Sequence, residues 1–132
     1  MRTKPCLTSV DVKKMMAAAL AEAEKNQWIV SIAIVDDGGF MLHLDRMDGA
    51  AVTTAEVAVG KARTAALTRR PSKFFEDRVK ERPAFISFPA GLFIQGALPI
   101  IHENECVGAM GVSGVQSFED EQIARAGIAA LG

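Results

Sequence analysis

Tyrosine is missing from the 132 residues, tryptophan occurs once and phenylalanine seven times. Ala, Val, Ile and Leu must therefore fill the core, and 49% of the chain is hydrophobic against 23% charged, an ordinary globular balance. Cysteine is as scarce: Cys6 and Cys106 stand far apart in no metal-ligand spacing, which reads as two reduced thiols of a cytoplasmic protein. No apolar run approaches the roughly 18 residues of a membrane span. The start, MRTKPCLTSVD, carries no apolar signal core. A formal net charge of −1 lacks the broad basic surface that nucleic acids require. The length suits one domain, residues 1–132.

What is present is strongly periodic. Thr8 and Asp11 predict a helix start, and Val12, Met15, Met16, Ala19, Leu20 and Ala23 follow at helical spacing, giving a helix over about 9–25. WIVSIAIVD (28–36) is apolar on both faces: Ile29, Ser31, Ala33 and Val35 on one, Val30, Ile32 and Ile34 on the other. Such a strand is covered on both sides. DDGG turns the chain into FMLHLDR, giving a first hairpin. Thr53 or Thr54 can cap a second helix with a small-residue face, ended by Pro71, and Ser72 can cap a short third helix. Pro83, Pro89 and Pro99 interrupt an apolar stretch that reads as further strands, broken by Pro and Gly into edges or loops. A second hairpin turns at 103–105, and Ser117 with Asp120 caps a last helix over 118–131. The element order predicts an α+β fold with an antiparallel sheet, not a parallel βαβ sheet.

VGAMGVSG (107–114) invites a phosphate-loop reading, which fails. Its spacing is G-x-x-G-x-x-G, no lysine follows, and Glu119, Asp120 and Glu121 open the next helix, where they complement its dipole and repel a phosphate. In a strand, Gly108 and Gly111 fall on opposite faces, so something bulky can approach each side. Helix packing accounts for this as well as a ligand or a second subunit does.

The segments IVDDGG (34–39), RMDGA (46–50), GKARTAALTRRP (60–71), GALPI (96–100) and VGAMGVSG, in this order, resemble the GlcG/HbpS haem-binding family, whose domain also forms the C-terminal part of PduO-type corrinoid adenosyltransferases. The resemblance spans nearly the whole chain. It implies a profilin-like fold with a five-stranded antiparallel sheet and helices on its faces. It also implies homo-oligomers and, for some members, haem binding and redox sensing; others belong to operons for glycolate, glycerol or propanediol use. Two positions depart from the family pattern. The second hairpin turn is Glu103–Asn104 where Asp-Gly is usual, and Gly96–Ala97 stands where Gly-Gly is frequent. The chain also shows neither a signal peptide nor a corrinoid-transferring domain, so the expectation is neither a secreted haem sensor nor a complete adenosyltransferase.

Haem needs an apolar slot, an axial ligand and cations for its propionates. His43 and His102 are the two imidazoles available, although a surface or packing role is the simpler account of each. Eight of the fifteen cations fall within residues 61–82, a local excess that attracts a small anion such as a carboxylate or phosphate ester, or else forms a solvated helical face. Lys61 lies next to the alanine face of the second helix, where it can reach a pocket rim and pair with a carboxylate or act as an acid–base group. Arg46 can grip a carboxylate, or pair with Asp48 or Glu56 to fix its loop. Ser113 has no nucleophile-elbow pattern around it. The candidate ligand-binding set is Arg46, Asp48, Lys61, Thr64, Gly96, Gly111, Ser113 and Gly114. Two functional readings follow: a binding or accessory protein for haem, a corrinoid or another small anion, or a small cofactor-free isomerase or lyase acting on a 2-hydroxy or 2-keto acid through Lys61 and Arg46. No nucleophile–base pair or metal cluster is visible in the sequence, which favours the first.

Overall fold

A computed structural model describes all residues, 1–132. Helix α1 (Ser9–Lys25) starts on the capping box the sequence announces: the Thr8 side chain accepts from the Asp11 backbone N–H, and the Asp11 carboxylate accepts from the Thr8 N–H at 2.8 Å. Strands β1 (Ser31–Asp36) and β2 (Met41–Arg46) form the first hairpin. Helices α2 (Thr54–Thr68) and α3 (Ser72–Glu81) follow, then a 3-10 turn at Pro83–Ser87. Strands β3 (Ala97–His102) and β4 (Glu105–Ser113) make the second hairpin, and α4 (Ser117–Ala129) closes the chain. The sheet is antiparallel, in the order β2-β1-β4-β3.

The sheet has four strands, not the expected five. The apolar segment after Pro83 forms the 3-10 turn and an irregular connection instead of a strand. Its phenylalanines pack on α3: Phe75 lies 5.4 Å from Phe93 and 5.3 Å from Phe88, centroid to centroid.

The two faces of the sheet are filled differently. Val30, Ile32, Ile34, Ile100, Met110 and Val112 meet α1 and α4 through Met15, Met16, Ala19 and Ile123. Ala33, Val35, Ala97 and Ala109 meet the alanine face of α2, Ala58, Ala62, Ala65 and Ala66. Small residues on both sides let α2 lie close, and Gly111 takes this furthest: a Cβ there would stand 2.2 Å from the Ala58 carbonyl oxygen. Gly108 points to the opposite face, where a Cβ would meet Leu7 Cδ1 at 2.9 Å.

Three cap assignments change in the structure. Thr53 precedes α2 without a side-chain cap bond, while the Thr54 hydroxyl bonds Ser31 Oγ at 2.8 Å. Ser72 lies inside α3, and its Oγ accepts from the Ala97 N–H at 3.1 Å, tying the helix to β3. Ser117 is already helical, and it is Glu119 that accepts from the Gln116 N–H at 3.2 Å. The second hairpin turns at Glu103 and Asn104, with φ of 52° and 63°, the two left-handed residues of a type I′ turn.

Candidate functional site

Both hairpin turns lie at one end of the sheet, and the N-terminal arm crosses that end. Arg2 pairs with Glu105 and Lys4 with Asp37. Each pair holds its carboxyl below the usual carboxylate range, chiefly through the side-chain hydrogen bond from the cation. The arm brings Pro5, Cys6 and Leu7 against the start of α1 and the end of β3. There Pro5, Cys6, Leu7, Asp11, His102, Val107 and Leu131 line a hollow of about 180 Å³. A second hollow, also about 180 Å³, shares Leu7 and adds Thr8, Ser9, Val12, Lys13, Leu42 and His43. The two hollows adjoin at Leu7.

This end of the molecule carries residue types that haem uses: a donor, apolar side chains and a cation. His102 and Cys6 offer an imidazole and a thiol, both established haem ligands in proteins. Pro5, Leu7, Val107 and Leu131 supply apolar walls. Lys13, on the rim beside His43, is in no ion pair and is free to meet a propionate. Asp11 is committed elsewhere, its carboxyl pulled down first by the Thr8 backbone bond and then by the Thr8 hydroxyl. The sequence shows both histidines but not Cys6 as a companion of His102; the juxtaposition arises only when the arm folds back over the hairpins.

The opposite end of the sheet holds most of the other candidate residues, and most of these are buried in contacts within the chain. Lys61 is 3% exposed. Its Nζ donates to the Val112 carbonyl at 3.0 Å and to Asp120 Oδ2 at 3.1 Å. Asp120 Oδ1 in turn accepts from the Val115 N–H at 3.1 Å. Burial raises the Asp120 carboxyl above its ordinary value, against the pull of the Lys61 ammonium. Lys61 thus pairs with a carboxylate of its own chain and does not stand at a pocket rim. Gly96 closes over it: at φ +141°, its Cβ would stand 2.7 Å from Lys61 Nζ. Thr64 is buried and its hydroxyl reaches the Leu92 carbonyl at 2.8 Å, pinning the connection before β3 onto α2.

Gly111 is covered by the α2 backbone, and Gly114, at φ +145°, lies against Ile29 and Val30. Ser113 is 8% exposed at the end of β4. Arg46 and Asp48 are exposed and share a surface hollow with Leu20, Glu24, Asp45 and Met47. Three carboxylates around one guanidinium make a poor anion site. Arg46 forms an ion pair with neither Asp48 nor Glu56. Lys61 and Arg46 therefore share no cavity.

The chain is similar to several known proteins. A family model described as "Haem degrading protein HbpS-like" matches residues 7–129. Protein GlcG of Escherichia coli is 43% identical over 114 residues, 86% of this chain and 85% of that protein. The crystal structure of a double mutant of Streptomyces reticuli HbpS superposes with a TM-score of 0.93 at 35% identity, over 100% of this chain and 91% of that one. The crystal structure of a PduOC:heme complex superposes with a TM-score of 0.87 at 25% identity, over 96% and 95% of the two chains.

Proposed function

The chain belongs to the HbpS-like family, and on that premise we propose that it is a haem-binding protein whose site lies under the N-terminal arm. The observation that carries this reading is that His102 and Cys6 line one hollow. His102 would hold the iron, Cys6 lines the same hollow, and Pro5, Leu7, Val107 and Leu131 would pack against the macrocycle. His43 and Lys13 line the adjoining hollow and extend the site toward the propionates. Bound haem supplies an iron centre open to redox chemistry. The chain supplies apolar walls, a choice of axial donor and a cation. The relative solved with heme and the family description support the same reading.

Titration with haemin tests it. A saturable Soret band is expected for the wild type, with its position and affinity altered in His102→Ala and altered less in His43→Ala. The absence of saturable binding, or identical spectra and affinities for wild type and His102→Ala, overturns the assignment.

A further inference from the structure

The function above leaves the basic run of residues 61–82 unused, together with a concentration of aromatic rings. Phe74, Phe75, Phe85, Phe88 and Phe93 are five of the chain's seven phenylalanines, and they form one cluster on α3 and the 3-10 turn. Arginines lie over these rings. Arg70 Cζ is 4.3 Å and Arg78 Cζ 5.1 Å from the Phe74 centroid, and Arg82 Cζ is 5.2 Å from that of Phe85. A guanidinium stacked in this way keeps its N–H edge free for an oxyanion.

Only one of the three arginines also lines a cavity. Arg82, Ala84, Phe85, Ser87 and Phe88 border an open surface hollow of about 190 Å³. Arg78 is drawn toward Glu81 at 3.6 Å, whereas Arg82 pairs with no carboxylate. The Ser87 hydroxyl is engaged with the Ala84 carbonyl at 2.8 Å and holds the turn in shape. Phe88 remains 44% exposed although it packs against Phe75. The hollow thus has aromatic sides and a single unneutralised cation at its rim.

The geometry points to a binding site for a small hydrophobic carboxylate, an aryl or short alkyl acid whose apolar body lies on Phe85 and Phe88 and whose carboxylate takes the Arg82 fork. A hollow of about 190 Å³ suits a small ligand. The one free guanidinium matches one carboxylate in bidentate fashion. This site lies on α3 and the 3-10 turn and shares no residue with the His102 and His43 hollows, so it stands or falls independently of haem.

Benzoate is the probe, with benzylamine as the matched cation of similar size. Benzoate is expected to shift the amide resonances of Ala84, Phe85, Ser87 and Phe88 saturably in a proton–nitrogen correlation spectrum, and benzylamine is not. Arg82→Gln is expected to weaken benzoate about tenfold, in line with the loss of one charge-assisted contact. Arg82→Lys is expected to retain part of the affinity, and His102→Ala all of it. The exposed position of Arg82 makes both of its variants foldable, which the dispersion of the same spectrum checks directly. Shifts that fail to saturate, equal binding of benzylamine, or undiminished affinity in Arg82→Gln would each overturn the assignment.

Discussion

Burying an ammonium and a carboxylate side by side costs desolvation energy that their attraction only partly returns. Lys61 and Asp120 accept that cost because each also satisfies a backbone group, the Val112 carbonyl and the Val115 N–H. Removing one partner leaves the other charge buried. Lys61→Met is therefore expected to lower stability by about 3–5 kcal/mol at neutral pH, while Lys61→Met with Asp120→Leu loses much less. The pH dependence follows from the direction of the Asp120 shift. Its carboxyl is raised by burial, so the unfolded chain releases this proton first as pH rises. The contribution to stability falls as pH rises from the ordinary carboxylate value through the raised one, and favours the fold on the acid side. In Lys61→Met the loss should accordingly shrink as pH falls, and in Asp120→Asn this dependence should vanish. Urea melts at several pH values measure both; a pH-independent penalty in Lys61→Met would refute the account. Lys61 is conspicuous in the sequence as a lysine beside an alanine face. Its partner is not, because Asp120 reads as one more acid at a helix N-terminus.

At the scale of elements, the packing of α2 on the sheet depends on what is absent from both. The helix offers alanines, and β4 offers Gly111 directly beneath the turn from Ala58 to Ala62. A methyl at 111 would lie 2.2 Å from the Ala58 oxygen and 2.7 Å from the Ala62 nitrogen, both backbone atoms that move only if the helix does. Gly111→Ala is expected to cost at least about 1–3 kcal/mol by thermal or urea unfolding. Gly38→Ala is the control: its nearest neighbour lies at 3.5 Å, and the change should stay within about 0.5 kcal/mol. Equal effects of the two substitutions would show that close approach is not what Gly111 provides. The same contrast explains which elements were legible. The first helix, the two-faced strand β1 and the opposite orientations of Gly108 and Gly111 follow from local periodicity. The fifth strand does not exist, because Phe85, Phe88 and Phe93 find Phe75 on α3 instead of a neighbouring strand. Ser72 is a serine in cap position whose actual partner, the Ala97 N–H, lies 25 residues away. The hollow under the arm escapes local reading for the same reason: it joins residues from both ends of the chain.

For the whole molecule, the resemblance implies a homo-oligomer, but the alanine face of α2 and the apolar strand β1 are both used inside the protomer. A different surface carries the expectation. Strand β2 is a sheet edge with unpaired backbone groups, and it has neither proline nor lysine to discourage pairing. The other edge, β3, carries Pro99. Along β2, Met41, Leu42 and Leu44 are 53%, 43% and 37% exposed, preceded by Phe40 at 70%. Met41 and Leu44 also join Ala55, Glu56 and Val59 around a hollow of about 220 Å³. An edge so apolar is either an aggregation hazard or an interface, and a second β2 related by a two-fold axis answers its hydrogen-bonding needs with an identical strand. A stable contact of this kind buries roughly 1,200–2,000 Å². Light scattering at micromolar concentration should give a mass of two protomers or more, and Leu44→Glu should shift it toward the monomer without unfolding the chain, since Leu44 is already half in solvent. A monomeric wild type would remove the interface. An oligomer indifferent to Leu44→Glu would move it to another surface and leave β2 a bare edge.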